Sequence, residues 1–333
     1  MQNFSYVYVL VSNATDIYCE QTLLSAISLR KQMPHANIVL LVDDETEASL
    51  TGNRSKIKDV VNKIVSVHVP NFNNLQKSRF LKTNMPEYVS GDFLYIDSDT
   101  IVAAPLNDIE NCEIELGAVL DRHVTFSNSP AKHIIASNGK KMGFTVSCND
   151  KHFNGGVMLF RRNPETLDFF RKWHQLWLET NEKGFSFDQI ALAQANYLTG
   201  GKLQELSGVW NCQIENGIKY FSSAKILHFF SSTSKKSCSH LLMQKTFYEK
   251  MKVDGVSEDI LAVVNNPGLY FTGKTQIIAE DYVDFFNTPL VRFFYRLFSQ
   301  KTTKGIFSFL NSIFKKIQSV SMSKVTMSMS AKK

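Results

Sequence analysis

The sequence predicts an α/β fold in which a mostly parallel central sheet is flanked by helices on both faces. Short, continuously apolar segments alternate with helix-like segments through the first two-thirds of the chain. Continuous apolar strands, rather than strands of alternating polarity, are typical of a sheet that is covered on both faces. In such sheets ligands bind beyond the carboxyl ends of the strands.

The strand predictions rest on apolar runs bounded by polar or turn-forming residues. The first run is YVYVLVS and the last is KILHFFS, and Pro70 closes the third. The predicted strands, in chain order, are Tyr6–Ser12, Ile38–Asp44, Lys63–Pro70, Gly91–Val102, Glu115–Asp121, Gly155–Arg162 and Lys225–Ser231.

The helix predictions rest on amphipathic spacing. A first helix is predicted at Glu20–Gln32, and a second begins at Leu75 and breaks near Pro86. Two more are predicted at Glu165–Thr180 and Phe187–Tyr197. Between them, Ser127–Lys151 is rich in Ser, Asn and Lys and is predicted to be a loop.

Composition limits the class of protein. The 333 residues, 44% hydrophobic and 20% charged, suffice for a sizeable core. The chain shows neither a signal-peptide pattern nor a run of about 18 apolar residues, so we expect neither secretion nor a spanning helix. The five cysteines are scattered without a CxxC pair, which favours a reducing cytosol over a disulfide framework or a zinc site.

Positive charge is concentrated at the carboxyl end. Residues 287–333 contain nine Lys and Arg and no Asp or Glu, whereas the whole chain carries only +6. The rest of the chain is therefore mildly acidic, and nucleic-acid binding is not expected.

The segment FLYIDSDTIV, from Phe93 to Val102, places two carboxylates at the edge of an apolar strand. Side chains alternate along an extended chain, so Asp97 and Asp99 would lie on the same side. Such a pair suits Mg²⁺ or Mn²⁺, which also bind phosphate oxygens. The alternative is a turn in which the aspartates cap loop amides.

A phosphatase of the haloacid-dehalogenase type also carries a strand followed by DxD, with the first Asp as nucleophile. Those enzymes have Thr or Val two residues after the second Asp, near the chain start. Ile101 occupies that place here, late in the sequence, which disfavours this alternative.

Three further signals lie downstream. Asn154 and two glycines precede a strand, where glycine permits close approach of another group to the backbone. The alternative is an ordinary turn at the start of the strand, which would contain the same residues. Asp188 and Gln189 stand at a helix start, where Asp188 could simply be an N-cap. His228 lies in an apolar strand, either as a core histidine or as a metal ligand.

The order of these motifs resembles glycosyltransferase family 8, which includes glycogenin, galactinol synthases and bacterial lipopolysaccharide galactosyl- and glucosyltransferases. The similarity runs from about Tyr6 to Phe230, and its most specific piece is SRFLKTNMPEYVSGDFLYIDSDTIV. The resemblance implies a GT-A nucleotide-sugar fold and a retaining transferase that uses Mn²⁺ or Mg²⁺ and a UDP-sugar donor.

The resemblance also implies roles for particular residues. Metal ligands would be Asp97, Asp99 and His228, and the catalytic pair would be Asp188 and Gln189. The positions implied to bind the donor are Tyr18, which would stack on uracil, Lys82, Asp121, Asn154, Gly155 and Lys235.

The sequence departs from the family pattern in three places. The segment HFFSSTSKKSCSH lacks the family's Gly and Pro-Trp, so that Lys235 or Lys236 stands in for the phosphate-binding lysine. VSNATD lacks the usual acidic pair, and Ala193 replaces an Asn after the DQ pair. Because Gln189 is a poor nucleophile, we favour front-face attack, with Asp188 as the reserve nucleophile.

The tail, 287–333, is predicted to be a separate segment from the catalytic domain, 1–286. Its apolar residues recur at helical spacing beside Arg and Lys, first at Leu290, Phe293, Phe294, Leu297 and Phe298, and again at Ile306, Phe309, Leu310, Ile313 and Ile317. This pattern is typical of an interfacial membrane helix. The alternative is a pair of helices docked on the body or on a second copy.

The sequence therefore predicts a retaining, metal-dependent transferase that moves glucose or galactose from a UDP-sugar to a saccharide or lipid-linked saccharide. We expect it to act in lipopolysaccharide, capsule or other surface-glycan synthesis, on the cytoplasmic face of the cell membrane. The alternatives are an inverting GT-A transferase and a nucleotide-sugar-binding protein without transfer activity.

Overall fold

The computed structural model describes residues 4–145, 151–230, 240–271, 288–299, 305–306 and 308–314. The chain forms two compact units, Met1–Thr275 and Gln276–Lys333. Predictions that fall on Lys235 and Lys236, or on the basic residues beyond position 314, lie outside the described residues.

The first unit is built on a mixed sheet whose pairs are mostly parallel. Its seven strands stand in the order β3-β2-β1-β4-β7-β6-β8, and β7 alone among them runs antiparallel to its neighbours, β4 and β6. The strands are β1 Phe4–Leu10, β2 Ile38–Asp43, β3 Lys63–Val67, β4 Asp92–Ile96, β6 Leu116–Leu120, β7 Phe153–Phe160 and β8 Gln204–Glu205.

A second sheet of three strands holds β5 Thr100–Val102, β9 Cys212–Gln213 and β10 Ile226–His228. β10 pairs antiparallel with β5 and parallel with β9. The prediction of one strand over Gly91–Val102 is therefore wrong. The chain leaves the large sheet after Ile96 and enters the small sheet at Thr100, so Asp97 and Asp99 lie in the connection between two sheets.

Helices cover both faces of the large sheet, as predicted. Side chains that alternate along β1 enter two separate apolar clusters, with Tyr6 and Tyr8 in one and Val7 and Val9 in the other. Burial on both faces explains why this strand is continuously apolar. The helices are α1 Tyr18–Gln32, α2 Asp44–Ser49, α3 Ile57–Val60, α4 Asn74–Thr83, α5 Met85–Tyr88, α6 Asn107–Glu110, α7 Lys132–Met142, α8 Pro164–Glu182, α9 Gln189–Leu198, α10 Lys245–Asp254 and α11 Glu258–Asn265.

Several boundaries differ from the predictions for local reasons. α4 ends at Thr83 rather than at Pro86, which instead lies in the first turn of α5, where the missing N–H costs nothing. The predicted loop contains α7, whose polar composition hid it and which ends at Gly143 with φ +76°. Asn154 lies inside β7 rather than in a strand-entry turn.

Two tryptophans of α8 fix the chain that leads into α9. Trp173 and Trp177 are fully buried, and their indole N–H groups donate to the carbonyl oxygens of Asp188 and Ser186 at 3.1 and 3.0 Å. An indole that buries its ring and satisfies its N–H anchors a segment firmly. The start of α9 is thus held by the core.

The second unit contains α12, Pro289–Ser299, and further helical residues at 308–314. Large apolar side chains of both segments are exposed, including Leu290 at 66% and Phe309 at 65%. Among the described helices, none combines the length and apolar character needed to cross a bilayer.

Candidate active site

Three predicted metal ligands lie together where the two sheets meet. Ligand atoms of Asp97, Asp99 and His228 are all within 4.8 Å of one another. The proximity follows from β5–β10 pairing, which sets His228 opposite Thr100, directly after the second aspartate. The predicted proximity is confirmed, although it arises from a turn and a strand pair rather than from alternation along one strand.

The turn that carries the two aspartates is held from several sides. The Asp97 N–H donates to Gly156 O at 2.7 Å, and Thr100 Oγ1 donates to Asp97 O at 2.8 Å. The hydroxyl groups of Thr22, on α1, and Ser98 are hydrogen-bonded at 2.8 Å. These hydrogen bonds fix the conformation of the connection, which is what a metal or phosphate site requires.

Two cations of α4 join this cluster to the start of α9. Lys82 Nζ lies 3.3 Å from Asp97 Oδ1 and 3.5 Å from Asp188 Oδ2. Arg79 Nε lies 3.0 Å from Asp188 Oδ1, at ion-pair distance but without hydrogen-bond geometry. Tyr95 completes this side by donating its hydroxyl to Asp97 Oδ1. Lys82 is thus shared between a predicted metal ligand and a predicted catalytic residue.

Asp188 and Asp99 are held in the ionised form despite their burial. Burial alone would raise the pKa of Asp188, but Lys82 and Arg79 outweigh it and bring the pKa below its usual range. Burial likewise opposes ionisation of Asp99, yet His228 lowers the pKa of that carboxyl. Burial would lower the pKa of His228, and Asp99 raises it above the usual value.

Asp188 does not act as a helix cap. It occupies the N-cap position of α9, but its side chain makes no capping hydrogen bond. Its two carboxylate oxygens face the cations of α4 instead. The capping alternative raised from the sequence is therefore wrong, and Asp188 belongs to the charged cluster.

Gln189 has a defined amide orientation. Its Nε2 lies 3.3 Å from Phe153 O and 3.2 Å from His152 Nε2. A carbonyl oxygen only accepts, so the amide nitrogen must donate on this side, and His152 must accept through Nε2. The pKa of His152 is lowered, chiefly by burial, so the ring is neutral and can accept.

Asp121 and Asn154, both predicted to lie near the donor sugar, are hydrogen-bonded to each other. Asn154 Nδ2 donates to Asp121 Oδ1 at 3.2 Å, and Asn154 Oδ1 accepts from the Gly156 N–H at 2.9 Å. The same oxygen accepts from Asn211 Nδ2 at 2.9 Å, and Asn211 Oδ1 lies 2.9 Å from His228 Nδ1. A continuous polar chain therefore links the predicted sugar side to the predicted metal side.

The two glycines of β7 have different surroundings. A Cβ on Gly156 would lie 2.5 Å from His228 Cε1 and 2.9 Å from Asp97 Oδ2, which no ordinary contact allows. A Cβ on Gly155 would meet Lys82 Nζ and Leu192 at 3.6 Å, an ordinary contact. Only the second glycine is needed for space at the carboxylate–histidine cluster.

Tyr18, the predicted uracil platform, begins α1 and is 40% exposed. Its pKa is raised, first by partial burial and then by Asp16 and Asp99. The hydroxyl oxygen of Thr22, one turn further along α1, lies 2.8 Å from both Tyr18 O and Ser98 Oγ, so Tyr18 is at the end of α1 that meets the turn of the two aspartates. Lys235, the last predicted donor contact, lies outside the described residues.

Sequence reasoning missed four residues that the fold brings to the site: Arg79, Tyr95, His152 and Asn211. Arg79 precedes Lys82 by three positions on α4, a spacing that places both on one helix face and could have revealed it. Tyr95 stands two residues before Asp97, which is a comparable hint. His152 stands two residues before Asn154, which is the same kind of hint. Asn211 reaches the site only through tertiary packing, and no local pattern marks it.

The residues present fit a hard divalent cation. Two carboxylates and one imidazole offer a mixed oxygen and nitrogen set, and Asn211 faces the imidazole nitrogen that is turned away from Asp99. Of the charged groups, three carboxylates are set against the two cations of α4, so the cluster keeps one net negative charge while His228 is neutral. A divalent ion would reverse that sign.

Comparison with known proteins identifies related sequences and folds. The family model described as glycosyl transferase family 8 matches residues 9–236. The comparison with curated proteins gives no match.

Among solved structures, the apo form of the bifunctional glycosyltransferase WbbM gives a TM-score of 0.52 at 13% identity, over 79% of this chain and 51% of that chain. The galactosyltransferase LgtC, in complex with donor and acceptor sugar analogs, gives 0.48 at 16% identity, over 78% of this chain and 99% of that one. The glycosyltransferase GlyE of Streptococcus pneumoniae TIGR4 gives a TM-score of 0.45 at 18% identity, over 83% of this chain and 67% of that chain. At such identities the WbbM likeness bears on the fold alone.

Proposed function

Because the chain belongs to glycosyl transferase family 8, with its model matching 228 of 333 residues, we propose that it is a retaining, metal-dependent hexosyltransferase. Its donor is a UDP-sugar carrying glucose or galactose, and its acceptor is a saccharide. The observation that carries the proposal is the contact of Lys82 with both Asp97 and Asp188. Through Lys82, the predicted metal ligands lie directly beside the predicted catalytic pair, Asp188 and Gln189.

The charge of the site favours a diphosphate donor. With a divalent ion on Asp97, Asp99 and His228, the cluster gains a net positive charge in a partly buried setting. When bound, the ion supplies Lewis-acid stabilisation of the charge on the leaving diphosphate. Lys82 adds a fixed ammonium group at the same place, where it needs no reorganisation during the reaction.

The surroundings of Asp188 favour front-face attack over a covalent intermediate. Oδ1 faces Arg79 and Oδ2 faces Lys82, so both oxygens are engaged by cations and the carboxylate is a weakened nucleophile. In front-face attack the acceptor oxygen bonds to the anomeric carbon as the bond to the phosphate oxygen breaks. The departing phosphate oxygen takes the acceptor's proton.

Gln189 contributes by orientation rather than by nucleophilic attack. Its amide nitrogen is committed to Phe153 O and His152, which leaves the amide oxygen for a hydroxyl group of the sugar. Replacing Gln189 by Ala should therefore leave a substantial residual rate. A glycosyl adduct trapped on Asp188 and found by mass spectrometry would overturn this mechanism.

An inverting reaction is the second candidate, and Glu215 is the observation that favours it. Burial raises the pKa of this carboxyl, which lies within electrostatic reach of Arg122, His228 and Asp99. A carboxylate with a raised pKa beside the site is what an inverting base requires. The anomeric configuration of the first product, read by proton NMR, decides between the two candidates.

The deciding experiment is release of UDP from a panel of UDP-sugars, with and without Mn²⁺, by the full chain and by the Asp97→Asn variant. We expect metal-dependent release that falls by about 10³-fold in the variant, because several kcal/mol of charge stabilisation is lost. If no donor gives metal-dependent release, the chain is a nucleotide-sugar-binding protein without transfer activity.

The tail, 287–333, is proposed to hold the enzyme on the cytoplasmic face of the cell membrane, where a lipid-linked saccharide in lipopolysaccharide, capsule or other surface-glycan synthesis would be the acceptor. The support is charge and exposure together. The tail contains nine basic and no acidic residues, and α12 exposes Leu290 and Phe293. Apolar faces flanked by Arg and Lys bind anionic lipid surfaces.

Vesicle flotation tests the tail with phosphatidylglycerol–phosphatidylcholine vesicles and with phosphatidylcholine alone. The full chain should float with the anionic vesicles, and a chain ending at 286 should not. Equal flotation of both chains would overturn the proposal. So would a full chain that ignores the anionic vesicles and instead forms dimers through its tail.

A further inference from the structure

Asn211 is a buried amide next to the histidine of the metal cluster. It ends a 3-10 turn, Gly208–Asn211, immediately before β9. β9 pairs with β10 so that Gln213 is opposite His228, which brings Asn211 alongside the imidazole. Its side chain has no solvent exposure, so its hydrogen-bond partners within the protein fix its orientation.

The orientation of that amide follows from a backbone group. The Gly156 N–H can only donate, and it points to Asn154 Oδ1 at 2.9 Å. Asn211 therefore presents its NH₂ group to the same oxygen, also at 2.9 Å. Asp121, whose carboxylate accepts from Asn154 Nδ2, requires the same arrangement. The oxygen of Asn211 is left facing His228.

The tautomer of His228 follows in turn. An amide oxygen only accepts, so His228 Nδ1, 2.9 Å away, must carry a hydrogen. Asp99, 3.1 Å from Nε2, would by itself favour a hydrogen on Nε2, which is the position that a metal ion needs. Asn211 opposes that preference from the other side of the ring.

We propose that Asn211 is a positioning residue that holds His228 in the Nδ1–H tautomer and so presents the Nε2 lone pair to a divalent metal ion. The inference rests on the metal site of the proposed function and adds to it a residue that lies outside the DxD and histidine motifs. Partners of this kind fix both the tautomer and the direction of a ligating histidine.

Two substitutions of Asn211 separate its contacts. Asn211→Leu keeps a side chain of four heavy atoms branched at Cγ and removes both hydrogen bonds. Asn211→Asp keeps an acceptor for His228 but cannot donate to Asn154. Asn196→Leu is the matched control, because Asn196 is also buried and accepts a hydrogen bond from the Leu203 N–H at 2.9 Å, within α9 and the turn after it.

The first readout is Mn²⁺ affinity of the full chain, from the electron paramagnetic resonance signal of the free ion. Asn211→Leu should bind Mn²⁺ about 10–100-fold more weakly, the usual loss when such a partner is removed. Asn211→Asp should bind at least as tightly as the unmodified chain, and Asn196→Leu should bind equally. Unchanged affinity in Asn211→Leu would overturn the inference.

The second readout is the nitrogen NMR spectrum of the imidazole rings in the chain without added metal, at a pH where the His228 ring is neutral, with His228 identified from its loss in His228→Gln. A hydrogen on Nδ1 supports the inference, and a hydrogen on Nε2 overturns it. This spectrum needs no Asn211 variant, so it decides even if Asn211→Leu fails to fold. A chain that binds Mn²⁺ but transfers no sugar would refute the proposed function and leave the role of Asn211 standing.

Discussion

Helix α4 carries two buried lysines with contrasting surroundings. Lys77 is 6% exposed and pairs with Asp43 at 3.0 Å and Glu45 at 2.7 Å. Lys82 is 3% exposed and is shared between Asp97 and Asp188. Each of these carboxylates has a second partner, Tyr95 for Asp97 and Arg79 for Asp188. The first lysine closes a local charge balance between α4 and the end of β2. The second, with Arg79, is one of two cations of α4 set against the three carboxylates of the site.

The contrast shows how to tell a structural ion pair from a functional one. Removing one partner of a closed pair leaves an uncompensated charge, so its cost appears in stability. In the cluster around Lys82 the proposed metal ion would complete the charge, so the cost should appear in binding and rate. The following substitutions test this distinction.

The largest effect is expected for Lys82→Met. The variant should lose about 10²–10³-fold in kcat/KM, because a fixed charge that stabilises the leaving diphosphate is removed. Mn²⁺ affinity should not weaken, since the loss of an ammonium group makes the metal site more negative. Parallel measurement of UDP release and Mn²⁺ binding checks both. A matching loss of metal affinity would mean that Lys82 supports the ligands rather than the donor.

The next effect concerns the space around the same cluster. Gly156→Ala should weaken Mn²⁺ binding by about 10–100-fold, because its Cβ would displace His228 and Asp97. Gly155→Ala, where a Cβ fits at 3.6 Å, is the control for metal affinity. Isothermal titration with Mn²⁺ compares them. Equal Mn²⁺ affinity in the two variants would show that His228 and Asp97 can move to make room for the added methyl group without loss of metal binding.

Lys77→Met is the counterpart of Lys82→Met on the same helix. It should lower the free energy of unfolding by about 1–3 kcal/mol, because Asp43 stays buried without its cation. The loss of stability should stay modest because the second partner of Lys77, Glu45, is exposed and remains solvated without the lysine. Urea denaturation measures the loss, and kcat per folded molecule should be unchanged. A large loss of rate with normal stability would erase the distinction between the two lysines.

The smallest effect comes from His123, a half-buried histidine that accepts a hydrogen bond from the Gln213 N–H. Burial lowers the pKa of His123 to about 4, against 6.5 for the free side chain. Between about pH 4 and 6.5 the unfolded chain binds a proton at His123 and the folded chain does not. Stability therefore falls as the pH drops from about 6.5 towards 4. His123→Gln should flatten this part of the profile of urea midpoint against pH. An unaltered slope would assign the loss to other groups.

The local sequence pattern was sufficient to predict the fold class and the family. The continuous apolar runs at β1, β2 and β6 follow from burial on both sheet faces, and the family match and the mixed sheet bear out that reading. The DxD pattern after an apolar strand also identified Asp97 and Asp99 as candidate metal ligands. The local pattern failed at α7, whose Ser, Asn, Gly and Lys residues are typical of a loop, and at the strand break between Ile96 and Thr100, where one apolar run serves two sheets.

The sequence by itself determined which residue types are present and in what order: a DxD turn, an Asn with two glycines, a DQ pair and a strand histidine. Only the tertiary structure decided that Lys82 touches both Asp97 and Asp188, and that Asn211 fixes the ring of His228. The reason is physical. Hydrophobic periodicity is a property of neighbouring residues, whereas the partner of a buried polar group is selected by whichever chain segment packs against it.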